Sequence, residues 1–93
     1  TNAARLWEGV EALDLVLHVP ESHRLPSLTT IVVPRNVDDL AVRQRLLNEY
    51  HIEIAGGLGA LKGQIWRVGL MGHSSRREYV ALLLAALRDI LRR

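Results

Sequence analysis

Near the end of the chain, Ile65–Met71 reads IWRVGLM. The spacing predicts a β-strand over 65–71. Successive strand side chains point to opposite faces, so Ile65, Arg67, Gly69 and Met71 share one face and Trp66, Val68 and Leu70 share the other. A lone guanidinium thus stands among apolar residues and glycines. Either it reaches water over an exposed face, or it waits for an anion. The strand sits inside Ile52–Glu78, IEIAGGLGALKGQIWRVGLMGHSSRRE, which runs strand, glycine loop, strand and helix start.

The rest of the chain supplies the partners for such a strand. Leu6, Val10 and Leu13, with Trp7 beside them, predict a helix over 2–13 that Gly9 weakens slightly. Asp14–Val19 alternates as a short strand and Pro20 closes it. Pro26 breaks the polar loop that follows. Leu28–Val33 is rich in Thr, Ile and Val and reads as a strand that ends at Pro34. Asn36 is placed to cap the next helix, with Asp38 and Asp39 against its positive end. That helix carries Val42, Leu46, Leu47 and Tyr50 on one face and Arg43, Gln44, Asn48 and Glu49 towards water. His51–Ala55 is a strand or an extended lead-in, and Gly56–Gly63 is a loop. Ser75-Arg76-Arg77-Glu78 matches a capping box. Behind it a helix runs to about Leu91, with Val80, Leu83, Leu84, Leu87 and Leu91 on its buried stripe.

The order α-β-β-α-β-β-α with short connections predicts an α+β fold: a two-layer sandwich with a small, mostly antiparallel sheet and helices on one face. The other face is left for something else. Residues 1–93 are expected to form a single domain. A chain of this length buries on the order of 60–68% of the surface its unfolded form exposes, enough for one core.

Composition removes several function classes. There is no cysteine, so disulfides and thiolate metal sites are excluded. The formal net charge is only +2, with arginines spread along the chain. With aromatics at 4% and no phenylalanine, nucleic-acid binding has little support. No apolar run approaches the ~20 residues of a spanning helix, and no signal-peptide pattern is present, so the expectation is no membrane partner and a cytoplasmic location.

Other candidate chemistries fail on spacing. Gly56, Gly57, Gly59 and Gly63 fit neither a P-loop nor a dinucleotide fingerprint, because Lys62 is followed by Gly63 and occupies the place of a third glycine. The loop also leads into a strand, so no helix end faces a phosphate. A turn or a close backbone approach is the simpler reading. His18, His23, His51 and His73 show no metal spacing. Ser74 and Ser75 read as capping residues, and Asp38, Asp39, Glu49 and Glu53 as cap or surface carboxylates. Lys62, the only lysine, lies in the glycine loop, whereas a Schiff-base lysine is usually desolvated. Arg67 remains. Its planar fork matches a carboxylate, a strand is a rigid mount, and Gly69 leaves room beside it. A small ligand-binding or regulatory α+β module is the alternative that the same residues allow.

The run LPSLTTIVVP, then VDDLAVRQRLLNEYHIEIAGGLGALKGQIWRVGLMGHSSRRE, then an apolar terminal helix, resembles the C-terminal small domain of alanine–glyoxylate (serine–pyruvate) aminotransferases. These are class V members of the fold-type-I pyridoxal-phosphate enzymes. The resemblance covers essentially the whole chain, and its most specific part is the GGLG loop followed by the W-R-x-G-L-M-G strand. It implies that Arg67 binds the substrate α-carboxylate. It also implies that the Schiff-base lysine, the aspartate on the pyridine nitrogen and the phosphate cup belong to a large pyridoxal-phosphate-binding domain, so that this chain alone is inactive and binds no cofactor. Amino acids and 2-oxo acids are the implied substrates, and a homodimer the implied assembly.

Overall fold

Thr1 opens the first helix, α1 (Asn2–Ala12), by accepting a hydrogen bond from the Ala4 amide at 3.0 Å. The computed structural model describes residues 1–20, 23–72 and 76–93. Leu6 and Val10 of α1 are fully buried, as their spacing predicts, whereas Leu13 forms the C-cap and is half-buried. A Cβ at Gly9 would overlap the Leu84 side chain. The residue that weakens α1 as a helix therefore lets another helix pack against it.

The first strand, β1, is confined to Val16–Leu17 rather than filling Asp14–Val19. Asp14 adopts φ 59°, which an extended strand does not allow, so the ladder starts later. The second strand, β2 (Leu28–Val32), follows the sequence closely. Asn36 does not cap the next helix: it takes φ 64° in the preceding turn, and Asp38 caps α2 (Asp39–Tyr50) by accepting from the Ala41 amide at 3.2 Å. Val42 and Leu46 are buried and Tyr50 is half-buried, while Leu47, expected on the same face, is 46% exposed. Steps of four keep residues 42, 46 and 50 on a narrow stripe, and position 47 lies about 100° beyond 46. The Tyr50 hydroxyl donates to Asp89 Oδ2 at 2.6 Å and ties α2 to α3 (Arg77–Leu91).

After His51, a left-handed C-cap, residues 52–54 lead without regular structure into β3 (Ala55–Gly56), and β4 (Ile65–Gly69) completes the sheet. The strand order is β1-β2-β4-β3, and every pairing is antiparallel. The N-cap of α3 is Arg76, with no side-chain capping bond, and the expected cap Ser75 lies outside the described residues, as do His73 and Ser74. Val80, Leu83, Ala86 and Leu87 of α3 are buried.

Among the described residues, three α-helices and a four-stranded antiparallel sheet thus form the expected α+β layers. One parity of the strands, Leu17, Ile31, Thr29, Trp66 and Val68, meets the helices in the core. The buried Thr29 hydroxyl accepts from Trp7 Nε1 at 2.9 Å, and the Arg24 guanidinium lies 5.3 Å from the Trp7 ring. The other parity, Val16, Val32, Thr30, Leu28, Arg67 and Gly69, forms the open face.

Ile65 has open-face parity, yet it is 4% exposed. Residues 57–63 fold back over it through a 3-10 turn, Gly59–Leu61. Gly57 permits this turn because a Cβ there would overlap the Leu61 carbonyl oxygen and press on Ile65 Cγ1 at 3.0 Å. Gly57→Ala should therefore destabilise the chain by about 1–3 kcal/mol through overpacking. The check is the denaturant midpoint, and an unchanged midpoint would show that the turn has slack.

Candidate functional site

Arg67 sits at the centre of the open face, flanked across the ladder by Thr30 on β2 and Ala55 on β3. Both neighbours are short, so neither overhangs the guanidinium. Arg67 is half-buried, and its Nε donates to the Gly56 carbonyl oxygen at 2.8 Å. Among the described residues it makes no other hydrogen bond or ion pair. One donor thus fixes the side chain, and the terminal nitrogens remain available as a fork.

This fork lines an open cavity of about 960 Å³. Gly69 and Leu28, paired across β4 and β2, continue the sheet wall beside it. A Cβ at Gly69 would meet nothing within 4 Å, so that side of the arginine is empty space. Gly57, Leu58 and Lys62 contribute the glycine turn, and the N-terminal portions of α2 and α3 contribute Asp39, Arg43 and Tyr79. Asp39 and Arg43 pair bidentately, Arg43 Nε to Oδ1 at 2.8 Å and Nη2 to Oδ2 at 3.1 Å. The hydrogen bonds that Arg43 donates to Asp39 hold its guanidinium above its ordinary pKa, against a smaller opposing effect of burial. Burial pushes the Tyr79 phenol up. With Arg43 already neutralised, Arg67 is the rigidly mounted cation whose fork remains open towards the cavity. The arrangement can hold a carboxylate end-on.

The surroundings of the other candidate residues differ. His18, His23 and His51 are exposed, and no group of three or more possible metal ligands occurs among the described residues. Asp38 caps α2, Glu49 pairs with Arg45, and Glu53 is exposed. Lys62 is exposed on the glycine turn. No described helix is long and apolar enough to cross a membrane.

No family model matches the chain. The crystal structure of alanine–glyoxylate aminotransferase from Nostoc sp. superposes with a TM-score of 0.93 at 53% identity, over 97% of this chain and 24% of that one. (S)-ureidoglycine–glyoxylate transaminase of Bacillus subtilis is 41% identical over 92 residues, 99% of this chain and 22% of the relative. Alanine–glyoxylate aminotransferase of Callithrix jacchus is 42% identical over 90 residues, 96% of this chain and again 22% of the relative. This chain matches the small C-terminal part of the alanine–glyoxylate aminotransferases.

The chain spans about a fifth to a quarter of the aminotransferases it matches. Its single lysine is exposed, whereas a lysine that anchors a carbonyl cofactor is desolvated or set beside another cation. What the sequence reading missed is the Asp39–Arg43 pair. Its signal was present, a carboxylate four residues before an arginine on one helix.

Proposed function

We propose that residues 1–93 form the domain of a pyridoxal-phosphate-dependent aminotransferase that holds the substrate's α-carboxylate, and that Arg67 is the residue that holds it. The observation that supports this most is an arginine mounted mid-strand in an aminotransferase segment, pinned by Nε and left with an unpaired fork on a cavity. Alanine–glyoxylate or a closely related transamination is the reaction, with amino acids and 2-oxo acids as substrates. The cofactor and its lysine belong to a larger domain of the same enzyme, two copies of which make the working dimer. The chain by itself is inactive.

In this reading the protein's contribution is orientation. A carboxylate gripped at both oxygens cannot rotate freely, so the substrate's Cα is held at one distance and angle from the reacting centre. Such fixation is among the larger sources of rate acceleration available to a binding side chain. Small apolar walls, Ala55, Gly69 and Leu28, exclude no short side chain beside the fork.

The test is competition by a plain carboxylate. Acetate should inhibit the whole enzyme competitively against the amino acid, because it occupies the Arg67 fork. It should lose that effect in an Arg67→Ala enzyme. Equal inhibition of both enzymes would remove Arg67 from the site.

A further inference from the structure

Arg67 is held by one backbone carbonyl, and that carbonyl belongs to a strand of only two residues. β3 touches the rest of the sheet through two register pairs, Ala55 with Arg67 and Gly56 with Trp66. So short an edge strand does little to fix its own peptide planes.

A second arginine stands on the other side of the same glycine. An ideal Cβ at Gly56 would lie 3.0 Å from both Cζ and Nη2 of Arg43 and 3.3 Å from its Nε. The Arg43 guanidinium is thus stacked on the bare Cα of Gly56, at a distance a side chain there would not tolerate unstrained. Arg43 is itself immobilised by its bidentate pair with Asp39, which is only 11% exposed and stands in the first turn of α2. A line of contacts runs from the α2 N-terminus through Asp39, Arg43 and Gly56 to Arg67. The Asp39 carboxylate cancels the Arg43 charge, so this support adds no net cation beside the arginine it supports.

We infer that Arg43, clamped by Asp39, is a positioning residue that fixes the Arg67 fork through the Gly56 peptide. The inference rests on the reading of Arg67 as the carboxylate clamp. If Arg43 is removed, Gly56 loses its backstop, its carbonyl drifts, and the fork moves with it. A displacement on the scale of an ångström at a positioning group costs up to about a hundredfold.

The experiment is a kinetic cycle on the whole enzyme with Arg43→Gln, Arg67→Ala and the double variant. Arg43→Gln should raise KM for the amino acid by about ten- to a hundredfold while kcat changes less. In the Arg67→Ala background the same substitution should add almost nothing, since its route to the substrate is gone. Arg43→Lys keeps the charge for Asp39, and hence the fold, but has no flat fork to lay on Gly56. It should raise KM in the same direction by a smaller factor. An unchanged KM in both Arg43 variants overturns the inference, and so do fully additive effects, which would mark Arg43 as a merely structural residue. If Arg67→Ala itself leaves KM unchanged, the reading of Arg67 fails and the inference fails with it. If Arg67→Ala raises KM and the Arg43 variants do not, the inference alone fails.

Discussion

Arg67→Ala in the whole enzyme should raise KM for the amino acid strongly and lower kcat/KM by about 2–4 kcal/mol of transition-state binding. The size follows from the environment. The side chain is half-buried, so an ion pair formed there is partly withdrawn from solvent and is worth more than one on an open surface. Its fork offers paired donors to two oxygens at once, and Thr30 and Ala55 beside it offer no second cation to take over. Lys62 lines the same cavity but is exposed on the glycine turn, and its ammonium is a point charge without a fork. Steady-state kinetics with alanine as donor is the check. A kcat/KM close to that of the parent enzyme would mean that the carboxylate is held elsewhere.

The second large effect is on stability. Trp66 is the largest fully buried side chain, set in β4 between Ile31 and Gly56 with the helices over it. Trp66→Ala should cost about 3–5 kcal/mol, the range for emptying a large aromatic site. That is comparable with the whole folding free energy of a domain of this size. Trp66→Phe should behave differently. The Trp66 Nε1 is buried with no hydrogen-bond partner among the described residues, whereas Trp7 has found Thr29. Phenylalanine removes an orphan donor whose burial costs about 1–3 kcal/mol and leaves only a modest void. The phenylalanine variant should therefore fall within about 1 kcal/mol of the parent. Denaturant melts of the two variants separate the cases. Equal destabilisation by both would mean that the indole N–H has a partner.

Much of this fold was legible because alternation and helical spacing answer to burial, and burial dominated. Leu6, Val10, Val42, Leu46, Val80, Leu83 and Leu87 all reach the core as their helical spacing predicts. The misses share a cause, since each depends on a backbone angle or a tertiary contact that spacing does not encode. Asn36 looks like a cap, but a left-handed φ commits it to the turn and passes the cap to Asp38. Ile65 has the parity of the open face and is buried beside a turn that Gly57, just past the neighbouring strand β3, allows. The periodicity of α2 offers Leu47 as well as Leu46, and only tertiary packing selects between them. At the site, Arg67 was legible as an oddity of composition. Its pinning by Gly56, and the Arg43 behind that glycine, were not, because they join residues that are distant in sequence.

The two outermost strands, β1 and β3, are each two residues long. A sheet normally advertises its rim, where unpaired amides and carbonyls invite a neighbouring molecule to add a strand and a chain reaction to begin. Here the rim offers too few consecutive backbone groups for such a templated addition to take hold. The longer strands, β2 and β4, lie inside and pair with each other over their full length. The edges thereby give fibrous polymerisation little to start from, a protection that lies in their shortness.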